Sequence, residues 1–198
     1  MNNRVKSAGK KVPWNKGKRP GQKPALSLQQ VRALRRRLQS ARQMRGLVLF
    51  SLAIESNLRA CDLVSLRVRD VSSGRQIASR VTLRQLHLSH PVQFEITDQT
   101  RGALAAWIEH EQLKPADYLF SSRIRESPHI STRQYARMVA SWVSLIGLDA
   151  AAYGTQSLRR TRPALLYRRT GDLEAMQERL GHTRRTTTAR FLGIQDEA

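Results

Sequence analysis

The segment LVLFSLAI at 47–54 has a single polar side chain, Ser51, in eight residues. On a helix such a run puts apolar groups all the way round, so a helix over roughly 42–56 has no face to give to water and must be buried. It falls well short of the roughly 18–20 apolar residues needed to cross a bilayer, and no other stretch comes closer. The rest of the chain therefore has to supply the walls around one central helix. With 198 residues, 40% of them hydrophobic, it can bury one sizeable core and carry appendages. Asn57 tolerates the left-handed conformation that ends the helix.

The walls can be read from periodicity and punctuation. Ser27 and Gln30 have capping-box spacing, and Leu28, Val31, Leu34 and Leu38 follow at helical intervals. A short helix is expected through Leu63 and Leu66. VRDV at 68–71, IASRVTLRQL at 77–86 and PVQFEIT at 91–97 then suggest three short strands, with turns at Ser73-Gly74 and around Ser89-His90-Pro91. Helices resume at 98–112, where Leu104, Trp107 and Ile108 share a face, and again from Ser131, with a capping-box Gln134, to Gly147. Three more are expected near 156–169, 173–180 and 185–192, with stops at Gly171 and Gly181 and a cap at Asp172. The fold class is α+β, mainly α-helical, with one small three-stranded antiparallel sheet. Cys61, the one cysteine, lies on an apolar helical stretch and is expected in the core. It excludes an internal disulfide framework, and nothing near it has metal-ligand spacing, so neither metal nor other cofactor is expected.

Charge narrows the partner. Lys and Arg total 35 against 15 Asp and Glu, a net +20 and a pI near 11.5, which calls for a polyanion. No acidic residue precedes Glu55. Residues 1–24, with Lys10, Lys11, Lys16, Lys18 and Arg19 set among Gly and Pro, read as a flexible basic arm suited to a nucleic-acid backbone. Trp14 could anchor it to the body or to nucleic acid. After Lys23 only Lys114 is lysine; every other cation is arginine, the residue suited to bidentate phosphate contact. No segment combines Lys-rich and bulky apolar faces as a lipid-binding helix does, so double-stranded DNA is favoured and a membrane is not. The basic start has no apolar signal region, and a reduced, cytoplasmic, nucleoid-associated prokaryotic setting is expected.

Three segments carry the remaining signal: LRACDLVSLRVRDV at 58–71, the strands at 77–96, and YGTQSLRRTRPALLYRRTGDLEAMQERLGHTRRTTTARFLGI at 153–194. In this order they resemble the catalytic domain of the tyrosine recombinase (phage integrase) family, over residues 25–198. In that family two arginines clamp the scissile phosphate, and a second histidine supports it. A sheet lysine protonates the leaving 5′ oxygen, a first histidine assists proton transfer, and a tyrosine attacks to form a 3′-phosphotyrosyl bond. The resemblance assigns Arg59 to the first arginine, buttressed by Asp62, Arg159 to the second, and His182 to the second histidine. Taken singly, Arg59 reads equally well as a helix-end cation and His182 as a histidine satisfied beside a glycine turn. Arg160, Arg184 and Arg185 join the arm's cations as expected DNA contacts.

Other positions depart from the family. Gln156 stands for the first histidine and cannot shuttle a proton near neutrality. His87 stands for the sheet lysine, and no lysine occurs between Lys23 and Lys114. Phe191 stands for the tyrosine and has no oxygen to attack with. Pro163 falls inside the helix carrying Arg159, where an interior proline removes a hydrogen bond and can kink the axis. These losses favour a catalytically inactive DNA-binding protein, a regulator or accessory factor acting alone, as a homo-oligomer, or beside an active recombinase. Two readings remain open. One is a strand transferase whose tyrosine comes from a partner, or that uses Ser157 or a water activated by His87; the other is a remnant with general nucleic-acid affinity.

Overall fold

The computed structural model describes residues 22–74, 76–83, 91–123 and 127–194. The apolar run forms α2 (Met44–Glu55), buried at every position from Val48 to Glu55. It packs against α1 (Leu28–Ser40), α5 (Asp98–His110) and α7 (Thr155–Thr170). The capping box of α1 forms as spaced: Ser27 Oγ accepts from the Gln30 amide, and Gln30 Oε1 from the Ser27 amide. Asn57 takes φ 55° and turns the chain out of α2 into α3 (Ala60–Val64).

VRDV is a helical turn, α4 (Val68–Val71), and not a strand. Val68 and Val71 are both buried, an i, i+3 spacing that one helical turn satisfies and strand alternation does not. The Asp70 carboxylate accepts the Arg67 amide, while Val68 and Arg69 donate to the carbonyls of Asp117 and Pro115. Among the described residues the expected three-stranded sheet is accordingly two antiparallel pairs. β1 (Ser72–Ser73) pairs with β2 (Gln76–Ile77) across Gly74 at φ 62°. β3 (Arg80–Leu83) pairs with β4 (Val92–Glu95), with Val81 opposite Phe94 on the buried face and Arg80 opposite Glu95 at the open end. The turn expected at Ser89-His90 lies outside the described residues.

α6 (Thr132–Ser144) starts at Ser131, whose hydroxyl accepts from the Gln134 amide. Its capping box is half formed, because Gln134 Oε1 accepts from Arg137 on the following turn. The C-terminal third matches its punctuation: α7 ends at Gly171 (φ 68°), Asp172 caps α8 (Leu173–Leu180), Gly181 (φ 64°) ends it, and α9 (Arg185–Leu192) follows. α7 continues through Pro163, which is buried. Leu158 of α7 belongs to the main core, and Ala164 to a smaller cluster with Leu173, Met176, Ala189 and Leu192. α7 thus joins the two cores. Residues 22–26 lie along it: Leu26 is buried with its amide on Thr161 Oγ1, and Lys23 Nζ donates to the carbonyls of Ala151 and Tyr153. Cys61, expected in the core, is exposed. In the short helix α3 the buried face belongs to Leu63 and Val64. Among the described residues no helix is long and apolar enough to cross a membrane.

Candidate functional site

Arg59 and Arg159 are 100 residues apart in sequence and are brought together by one corner. Arg59 is the N-cap of α3, two residues beyond the left-handed Asn57. Arg159, in the first half of α7, donates from Nε to the Asn57 carbonyl at 2.8 Å. Burial lowers the Arg159 pKa, and the neighbouring charge of Arg59 lowers it further, while Asp62 and Cys61 act in the opposite sense. Two like-charged guanidinium groups, half withdrawn from water, repel one another here, and an anion placed between them would turn that repulsion into attraction.

His182 follows Gly181 in the turn between α8 and α9. Its Nδ1 shares a hydrogen bond with the hydroxyl of Thr188, itself buried, at 3.1 Å, leaving Nε2 for a ligand. Burial and then the charge of Arg159 depress its pKa below the ordinary value, which places His182 within the field of Arg159. Phe191, on α9, lies at the centre of this group. The guanidinium carbons of Arg159 and Arg160 are each 5.5 Å from its ring centroid, and the His182 ring meets it edge-on at 5.5 Å. Gln156 is exposed on the first turn of α7, one turn before Arg159.

The structure therefore brings Arg59, Asp62, Arg159, Arg160, His182 and Phe191 together. Arg160 Nη1 also holds the Lys23 carbonyl at 2.7 Å, and Gln22 Nε2 the Phe191 carbonyl at 3.2 Å, so the segment leading from residue 22 is rooted beside the site. Arg184 is exposed as the N-cap of α9, and the next residue, Arg185, is exposed with Nη1 4.0 Å from Glu174 Oε1. His87, Lys10, Lys11, Lys16, Lys18, Arg19 and Trp14 lie outside the described residues. No group of His, Cys, Asp and Glu among the described residues is arranged to hold a metal ion.

Two supporting residues were not singled out from the sequence. Glu55, 5% exposed, accepts from the Thr97 amide (3.1 Å), the Thr97 hydroxyl (2.9 Å) and the Thr100 hydroxyl (2.8 Å), and Arg35 Nη2 stands at 3.5 Å. The signal was present: a carboxylate closing an apolar helix needs partners. Arg162, one turn beyond Arg159, donates from Nη1 to the carbonyls of Glu55 (3.0 Å) and Glu95 (3.1 Å). It ties α7 to the end of α2 and to β4.

Known proteins resemble this chain in sequence and in fold. A probable integrase/recombinase of Bacillus subtilis (strain 168), YoeC, is 27% identical over 178 residues, 88% of this chain and 91% of that protein. XerA recombinase superposes with a TM-score of 0.67 at 22% identity, over 90% of this chain and 62% of its own. XerH site-specific recombinase, in a post-cleavage complex with a palindromic difH substrate, gives 0.69 at 18% identity over 86% of this chain and 50% of its own. The chain thus spans most of the Bacillus relative but only part of each recombinase chain. The phage integrase family itself matches residues 24–197, which contain every residue of the site just described. With that match across the helical body, the arginine corner and the Phe191 helix, the chain belongs to the phage integrase family.

Proposed function

We propose that this chain is a DNA-binding member of the family that holds a backbone phosphate between Arg59, Arg159 and His182 and does not cleave it. The observation that carries the reading is Phe191, whose ring touches Arg159, Arg160 and His182 where the family's tyrosine is expected. Each of the four tyrosines is engaged elsewhere. Tyr118 stacks under Arg67, Tyr135 is 1% exposed in the core, Tyr153 packs against that core, and Tyr167 packs in the smaller cluster. Ser157 is no substitute: it is 1% exposed, and its hydroxyl oxygen accepts the Gly154 amide. The chemistry needs a group that gives up a proton and forms a bond to phosphorus, and binding needs only fixed cationic donors. DNA as the partner rests on the net charge of +20 and on the DNA-bound state of XerH.

The test is incubation with nicked suicide duplexes followed by denaturing gels, with Phe191→Tyr in parallel. We expect a mobility shift from both proteins and a covalent adduct from neither, because Gln156 cannot supply the proton transfer that the new hydroxyl needs. An adduct from the unaltered chain would overturn the reading. An adduct formed only when a tyrosine-bearing recombinase is added, and joined to this chain's half-site, would establish instead a strand transferase completed by a partner.

A further inference from the structure

A second cluster of arginines lies on the β3–β4 hairpin and the helices facing it. Two clefts, of about 460 and 520 Å³, share the Arg80–Glu95 ion pair as a common wall. Arg179 and Glu178 of α8 line the first, and Arg162 of α7 lines the second. Arg80 Nη2 is 3.2 Å from Glu95 Oε1, and Arg162 Nη2 is 3.5 Å from Glu95 Oε2. Three cations thus act on one exposed carboxylate: Arg80, Arg162 and Arg179 together hold the Glu95 carboxyl below its usual range, while Arg179 also depresses Arg162. Arg162 lies three residues from Arg159, so the clefts and the arginine corner share one stretch of α7. A DNA strand carries a phosphate about every 3.4 Å along its axis, so a strand held at Arg159 has further phosphates within reach of these clefts.

We propose that the clefts between the β3–β4 hairpin and α7–α8 form a second phosphate site for the same DNA, with the Glu95 carboxylate as a resident counterion that a backbone phosphate displaces. The carboxylate resembles the ligand in charge and in its paired oxygens, so it keeps Arg80, Arg162 and Arg179 gathered when DNA is absent. This is more than a cross-strand ion pair, since Arg162 and Arg179 come from outside the hairpin. Glu178 partly offsets the site's charge, and Glu95 is the carboxylate that all three arginines face.

The site rests on the DNA-binding reading, so the experiment must separate the two. Binding of a short fluorescent duplex of mixed sequence is followed across a salt series for the wild type, Glu95→Gln, Arg179→Gln and Glu109→Gln. The last removes the same charge from α5, away from these clefts. Glu95→Gln is expected to bind about threefold more tightly than both the wild type and Glu109→Gln, the scale of one exposed ion pair. Arg179→Gln is expected to flatten the log–log salt slope by about 0.9, one phosphate contact. Thermal melting of each variant confirms that it is folded. Equal gains from Glu95→Gln and Glu109→Gln, or an unchanged slope for Arg179→Gln, would overturn the second site while leaving DNA binding intact. No binding by the wild type would instead overturn the reading on which the site rests.

Discussion

Arg159→Ala should separate binding from folding, and the structure allows both sides to be weighed. On the folding side the substitution removes the Nε–H bond to the Asn57 carbonyl and the contact with the Phe191 ring. A hydrogen bond from a charged donor contributes about 1.5–3 kcal/mol, and a cation over an aromatic face about 0.5–1 kcal/mol at an exposed site. Against these stands the repulsion from Arg59 and the half-burial of the guanidinium, both of which depress the Arg159 pKa and both of which vanish with it. The balance is a loss of about 1 kcal/mol, of the order of ordinary point substitutions. On the binding side nothing offsets the loss. Truncating one partner of a desolvated, hydrogen-bonded charge pair costs about 2–5 kcal/mol, and the half-exposed setting selects the lower end, about a thirtyfold rise in Kd. Urea denaturation measures the first quantity and fluorescence anisotropy with duplex DNA the second. The salt slope should also flatten by about 0.9. An unchanged Kd and slope in a destabilised variant would refute the argument, because Arg159 would then serve only to tie α7 to the Asn57 corner.

His182 links the site to pH. Its folded pKa lies below 6.5, so the unfolded chain binds the proton more readily; stability is fully present above 6.5 and is lost as the pH falls through the lower folded value. Denaturation midpoints measured on either side of 6.5 should show this fall, and His182→Gln should reduce it. A phosphate beside Arg159 reverses the field on His182, so DNA binding should take up a proton and tighten as the pH drops through the same window; calorimetry in buffers of different ionisation enthalpy reads that uptake, and its absence would remove His182 from the phosphate site. Glu55→Ala should destabilise by about 2–3 kcal/mol, since it leaves three donors from Thr97 and Thr100 without their carboxylate acceptor in a buried setting, while Arg35 keeps Gln99; a loss under 1 kcal/mol by chemical denaturation would mean that water replaces the carboxylate.

The helices were legible wherever burial pattern and punctuation agreed. Val31, Leu34 and Leu38 face the core behind a capping box, and Gly171, Asp172 and Gly181 stop and start the C-terminal helices at the expected residues. VRDV misled because two valines three apart suit a strand by propensity and a helical turn by spacing. The loop at 115–117, remote in sequence, decides between them by accepting the amides of Val68 and Arg69. Cys61 misled for a related reason: a helix of five residues has one narrow buried face, and Leu63 and Val64 occupy it. In the candidate site the resemblance pointed to Arg59, Arg159 and His182, whereas Arg162 and Glu55 act through backbone carbonyls and hydroxyls from segments far away in sequence. No local pattern encodes such partners.

The Phe191 ring is where α7, the turn before α9 and α9 itself meet in the candidate site. Tyrosine and phenylalanine share a ring, and three neighbours engage that ring: Arg159 and Arg160 through their guanidinium groups and His182 through its edge. Removing the hydroxyl leaves these contacts in place and spares α9 a polar atom beside cations already half withdrawn from water. A small or branched apolar residue at 191 would leave Arg159 without its aromatic face and His182 without its edge-on ring contact. An aromatic ring at 191 suits the proposed phosphate-holding role, because it packs against Arg159 and His182, two of the three residues assigned to the phosphate.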